Sequence, residues 1–203
     1  MNDLKKIAKK SKNIIEFSKN YFKRLSKIYE AIDKNKIKQL EKKLHEIRIN
    51  GGNIFVIGNG GSAANASSMA NDLGFDVIKK TKIKKCFKIF SLNDNTSVLT
   101  AISNDIGYEN LFVGQLKIHF KKKDMIIILS ASGNSKNLLK AANWVKKNNG
   151  YVFSIIGFDG GKLKKLSNNC IHIKSNSDEY GPVEDIQLII NHILAHWFQK
   201  IFN

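Results

Sequence analysis

Five apolar runs of strand length recur along the chain: NIFVI (53–57), KIFSL (88–92), MIIIL (125–129), YVFSII (151–156) and CIHIK (170–174). Runs that are apolar at nearly every position belong to strands buried on both faces, and strands that alternate with helices build a parallel sheet. The segments between them, 62–73, 96–103 with 109–120, 135–148 and 161–167, have helical spacing, and a last helix fills 182–202. The pattern predicts an α/β fold, a three-layer α/β/α sandwich around a five-stranded parallel sheet of flavodoxin-like type. In such sheets ligands bind at the carboxyl ends of the strands.

Two amphipathic stretches precede the first strand. Apolar residues from Leu4 to Tyr29 recur about every 3.5 positions, predicting a helix over 3–32. A second helix runs from about Lys36 to Ile49 and stops at Asn50-Gly51-Gly52. Residues 1–50 are therefore expected to form a helical arm that packs on the core or on a neighbouring subunit, with the α/β domain in 51–203.

Charge narrows the classes of partner. The chain has 203 residues and a formal net charge of +17, from 34 Lys+Arg against 17 Asp+Glu. The lysines are scattered in small groups, and arginine, the better reader of bases and phosphates, occurs only as Arg24 and Arg48. No basic motif interleaved with aromatics is present, so nucleic acid is not the expected partner, although the charge favours anionic substrates. No run of 18 apolar residues exists, so no membrane span is expected, and the basic N-terminus lacks the features of a secretion signal. Cys86 and Cys170, in apolar surroundings, are expected to be buried free thiols.

Two corners where a strand meets a helix stand out: IFVIGNGGSAANA, and IIILSASGNSKNL over 126–138. At such corners backbone N–H groups are unpaired and the helix dipole favours an anion, while glycine lets the main chain approach it closely. Ser130, Ser132 and Ser135 add hydroxyls at the second corner, where Ser135 is placed to cap its helix. No lysine stands where a nucleoside-triphosphate loop needs one, and GNGGS lacks the spacing of a dinucleotide fingerprint, so a single phosphate is the expected anion. Close backbone packing alone also accounts for GNGGS.

GNGGS (58–62), SASGNS (130–135), NDIGYEN (104–110) and a terminal helix with acids and His192 together resemble the sugar isomerase (SIS) domain, and within it the phosphoheptose isomerases. The resemblance covers nearly the whole chain. It implies a cytoplasmic, homotetrameric enzyme with active sites built between subunits. The reaction implied is conversion of sedoheptulose 7-phosphate to D-glycero-D-manno-heptose 7-phosphate, for lipopolysaccharide or capsule heptose.

Aldose–ketose isomerisation moves a proton between neighbouring carbons through an enediol, and a carboxylate with a histidine suits that work near neutral pH. His45, His119 and His172 are assigned to structure or surface. The resemblance places His192 at the family's catalytic histidine and Asp72 at its proposed general base, a glutamate in relatives. It also puts Ser68 where relatives often have histidine, Glu184 where they have glutamine, Asp185 where they have glutamate, and Gln187 where they have histidine. Residues 184, 188 and 192 share one helical stripe, so Glu184 and His192 are expected to face one site. Some relatives hold zinc with the matched set, which here leaves Asp72, Glu184 and His192 as oxygen and nitrogen ligands. The proton chemistry does not formally require a metal. Ser130, Ser132, Asn134 and Ser135 are expected at the phosphate, Asn59, Gly60, Ser62 and Glu184 at the sugar, and Asp94 on a sugar hydroxyl. Two alternatives stay open: a non-catalytic relative that binds the replication initiator protein, and an isomerase of another sugar phosphate.

Overall fold

The computed structural model describes residues 3–203. Residues 1 and 2, the start of the expected arm, lie outside the described residues. Five parallel strands form one sheet in the order β2-β1-β3-β4-β5: β1 Asn53–Ile57, β2 Lys88–Ser91, β3 Met125–Ser130, β4 Tyr151–Ile156 and β5 Asn169–His172. This is the flavodoxin-type order, and alternation along each strand divides the core in two. Met125, Ile127 and Leu129 of β3 face one layer, with Val56, Phe153 and Ile155. Ile126 and Ile128 face the other, with Phe55, Val152 and Ile156.

The first layer is covered by α2 (Ile14–Glu30), α3 (Lys34–Ile49), α4 (Gly61–Asn71) and α10 (Tyr180–Ile201). The second is covered by α7 (Leu111–His119) and α8 (Lys136–Lys147), through Phe112, Leu116, Leu138 and Val145. Helix α6 (Thr96–Ile106) links β2 to α7, and the four-residue α9 (Leu163–Leu166) precedes β5.

The stretch expected as one helix over 3–32 is two. Helix α1 spans Asp3–Lys10, and a break follows before α2. The Asn13 side chain accepts from the Glu16 N–H at 3.0 Å and the Glu16 carboxylate accepts from the Lys12 N–H at 2.8 Å. These two bonds satisfy N–H groups at the start of α2 and fix the break between it and α1. The arm packs on the sheet through Leu25, Ile28, Leu40, Leu44 and Ile47. Its firmest tie is Arg24, whose guanidinium bonds the fully buried Glu179 carboxylate at 2.7 and 3.3 Å, just ahead of α10.

The helix after GNGGS also runs further than expected. It passes without a break into a π-helical turn (Asp72–Asp76) and then α5 (Val77–Lys80). Met69, Leu73 and Val77 remain on the buried face throughout. Cys86 and Cys170 are free thiols and half-buried rather than fully buried. Among the described residues no helix is long and apolar enough to cross a membrane.

Candidate active site

The sheet order reverses between β1 and β3, so the chain leaves those two neighbours in opposite directions and opens a crevice at their carboxyl ends. Both glycine–serine corners lie there. At the end of β3 the Ser130 hydroxyl accepts from the Gly133 N–H at 3.0 Å, and the Ser132 hydroxyl accepts from the Asn134 N–H at 3.3 Å. Gly133 has φ +64°, and a Cβ on it would stand 2.2 Å from the Gly160 carbonyl oxygen, so no other residue fits. Ser135 occupies the N-cap position of α8, but its side chain makes no capping bond, contrary to the expectation from sequence. A cavity of about 80 Å³ results, lined by Asn59, Ser62, Ser130, Ser132, Ser135, Tyr180 and Glu184. Asn134 is not among them. Its side-chain Oδ1 accepts from the Lys162 N–H at 3.0 Å and its Nδ2 donates to the Ser132 carbonyl at 3.1 Å, so it fastens this corner to the loop after β4.

The first corner already holds an anion. Gly60, with φ +56°, starts α4, and the Glu184 carboxylate from α10 lies over the first turn. A Cβ on Gly61 would stand 2.3 Å from Glu184 Oε2, which explains the second glycine of the pair. Burial pushes the Glu184 carboxyl above its usual range; the Ser62 N–H opposes this by donating to it, and Asp185 adds to it. The Asn65 amide donates to the Glu184 carbonyl at 2.8 Å, and the Ser62 hydroxyl donates to Gln187 Oε1 at 3.0 Å. Asn59 is a strut: its amide exchanges bonds of 3.0 and 2.9 Å with the Asn137 amide, and its Oδ1 also accepts from the Tyr108 hydroxyl at 2.9 Å.

Asp72 and His192 come together at the other end of α4. Asp72 opens the π turn, a feature frequent at functional sites. His192 Nε2 lies 3.5 Å from Asp72 Oδ2, with the carboxylate side chain 16% exposed and the imidazole 54%. The Asn191 amide donates to the same Oδ2 at 2.6 Å, and the Asn71 amide to Oδ1 at 3.0 Å. Ser62 and Asp72 are ten residues apart on a continuous helix, about 15 Å at 1.5 Å per residue. The phosphate-type corner and the acid–histidine pair of one chain are thus separate half-sites.

This geometry corrects the stripe expected on α10. Glu184 and His192 share a face, but α4 and α10 run side by side in the same direction, so Glu184 meets the start of α4 and His192 its end. The expected zinc set of Asp72, Glu184 and His192 therefore does not converge within one chain. Among the described residues no group of three or more His, Cys, Asp or Glu is close enough to hold a metal ion. Asp94, exposed on the loop after β2, is hydrogen-bonded by the Ser67 hydroxyl midway along α4. Asn93 ties that loop to the first corner through bonds of 3.2 and 2.9 Å with the Gly58 backbone. His172 is structural: burial lowers its basicity and its Nε2 lies 3.0 Å from the Phe158 carbonyl.

Beyond the pair, α2, α3 and α10 frame an open groove of about 910 Å³, lined by Tyr29, Ile37, Ile189, Ile193 and Trp197 with His192 and His196. Asn191, Asn137 and Tyr108 were not singled out from the sequence, and Gln187 was noted only as standing where relatives have histidine. Asn191 and Gln187 left a signal: amides at 187 and 191, one turn apart, interrupt the otherwise apolar stripe of Val183, Ile186, Ile190 and Leu194.

The model of the SIS domain matches residues 16–157. The phosphoheptose isomerase of Helicobacter pylori (strain P12) is 37% identical over 167 residues, covering 82% of this chain and 84% of the relative. That of Aneurinibacillus thermoaerophilus is 36% identical over 159 residues, covering 78% of each. Among solved structures, a phosphoheptose isomerase from Neisseria gonorrhoeae superposes with a TM-score of 0.81 over 93% of this chain and all of the other, at 23% identity. One from Francisella tularensis gives 0.78 over 93% and 99%, at 22% identity. At those identities the structural likeness speaks for the fold.

Proposed function

This chain belongs to the SIS domain family, among the phosphoheptose isomerases, and on that premise we propose that it interconverts sedoheptulose 7-phosphate and D-glycero-D-manno-heptose 7-phosphate, for lipopolysaccharide or capsule heptose. The observation that carries the reading is the Asp72–His192 pair, a carboxylate and an imidazole 3.5 Å apart, the imidazole well exposed and the carboxylate mostly buried. The Asp72 carboxylate takes a proton from C1 of the ketose, and the electrons of that C–H bond form the enediol. His192 passes a proton between the oxygens on C2 and C1, and the acid returns its proton to C2 to leave the aldose. Nothing is gained or lost overall. Ser130, Ser132 and Ser135 hold the phosphate at the second corner. No step is assigned to a metal.

The two half-sites of one chain are too far apart for one substrate. From the reacting carbons to the phosphorus a seven-carbon sugar phosphate spans roughly 10 Å at standard bond lengths. The separation along α4 is about 15 Å, and the phosphate lies beyond the helix start. The reading therefore includes a homo-oligomer, a tetramer as the resemblance implies, in which the pair of one copy faces the phosphate corner of another. The apolar groove beside His192, with Ile193 37% and Trp197 44% exposed, supports a second copy there. A phosphorylated substrate and two free thiols favour a cytoplasmic setting.

The test offers sedoheptulose 7-phosphate to the purified oligomer and follows the aldose product. Asp72→Asn is expected to lower kcat by about 10²–10⁴-fold, the usual contribution of a general base. A folded oligomer with no turnover, with or without added zinc, sinks the reading and points to the non-catalytic alternative. Turnover of a different ketose phosphate in preference keeps the chemistry and changes the substrate.

A further inference from the structure

Asn191 lies on the buried face of α10 with none of its surface exposed. Its Nδ2 donates to Asp72 Oδ2 at 2.6 Å, the same oxygen that His192 Nε2 approaches. Its Oδ1 is buried and meets no hydrogen-bond partner among the described residues. An unpaired buried carbonyl is unfavourable, and a leucine of nearly the same shape would carry no such penalty in a layer whose buried residues are apolar. Turning the amide over gives no relief, because Oδ1 would then face the Asp72 carboxylate and repel it. A polar group kept in the interior with half its bonding unmet calls for an explanation other than packing.

We propose, on the isomerase reading above, that Asn191 is a positioning residue for the proton-transferring acid. Its amide holds the Asp72 carboxylate in one rotamer, with Oδ2 shared between Asn191 on the buried side and His192 on the exposed side. The adjacent positions 191 and 192 achieve this through the step of about 100° per residue in a helix of about 3.6 residues per turn, which turns one side chain inward and the next outward. Without the buried donor the carboxylate keeps only His192 and the exposed Asn71 amide beside it, and it turns among its staggered rotamers. A misplacement of about 1 Å at the reacting group costs on the order of a hundredfold in rate.

Steady-state kinetics and thermal melting of Asn191→Leu and Asn191→Ala test the proposal. In both variants kcat is expected to fall about 10- to 100-fold, while KM stays within about threefold because the phosphate corner is untouched. Asn191→Leu should melt at or above the wild type, since it removes the unpaired carbonyl, and Asn191→Ala should melt lower. A purely structural role predicts the reverse: a lower melting temperature for Asn191→Leu with kcat unchanged. A kcat within about twofold of wild type in either folded variant overturns the inference, given the size expected from lost positioning. If the wild type is active and the variants are too, this inference alone fails. If the wild type converts no ketose phosphate, the isomerase reading fails and takes this inference with it.

Discussion

Replacing Glu184 by glutamine removes a negative charge from the wall of the phosphate-type cavity and leaves its shape intact. The carboxylate shares that cavity with Ser130, Ser132 and Ser135, so an incoming phosphate meets a like charge. Two unit charges about 6 Å apart at an effective dielectric of about 20 repel by about 3 kcal/mol. Glu184 is only half-buried, and screening reduces this to about 1 kcal/mol, or about fivefold in affinity. Glu184→Gln is therefore expected to lower KM for the sugar phosphate about fivefold at low salt, with the gain shrinking as salt rises. Stability should follow the same charge. Burial raises the folded pKa of Glu184, so the wild type loses stability as pH rises from about 4, the unfolded carboxyl value, through the folded one. The amide variant lacks that loss, so its melting temperature should gain on the wild type across this window and then run parallel to it. A KM that is unchanged or higher at low salt refutes the reasoning, because Glu184 would then be neutral when substrate binds or would itself be a substrate ligand.

The latch between the arm and α10 gives a second expectation. Arg24→Ala leaves the Glu179 carboxylate, 0% exposed, without its cation, and should destabilise the fold by about 3–5 kcal/mol in urea unfolding. Burial alone would raise the Glu179 pKa, but Arg24 and the N–H groups of Asn176 and Leu4 outweigh it and bring the carboxyl below its usual value. The latch therefore contributes fully above the unfolded pKa and is lost as pH falls through the folded one, so Arg24→Ala should shift acid unfolding to higher pH. A third concerns Gly133: alanine there must move the Gly160 backbone or abandon φ +64°, and KM should rise about tenfold while kcat changes less, as expected when a phosphate contact is lost.

The sheet was legible because the apolar runs of four to six residues recur in alternation with segments of helical spacing. The helix ends were less so. Asn13 caps α2 and Glu16 reaches back to the Lys12 N–H, yet the apolar spacing from Leu4 to Tyr29 runs straight across this break. The helical segment expected over 62–73 ends too early, because a π turn carries the chain past it, and such a turn depends on how Leu73 and Val77 seat in the core.

The candidate site shows the same division. The serines of SASGNS declare themselves through chemistry set by neighbours in sequence. Glu184 and His192 share a helical face, and periodicity alone puts them in one site. Only the direction of α10 beside α4 shows otherwise. Parallel packing matches residue 184 with the start of α4 and residues 191–192 with position 72, so each end of the seam receives one acid and a different job. Gln187 and Asn191 lie along that seam. As amides in an apolar stripe they look like tolerated core positions until their partners, Ser62 and Asp72, come from the other helix. On the proposed function, the carboxylate that seats on a helix N-terminus is kept from proton transfer, and the one that meets an imidazole carries it out. Had α10 crossed α4 in the opposite direction, Glu184 would have met the end of α4 and His192 its start, and the same residues would have carried the reverse assignment.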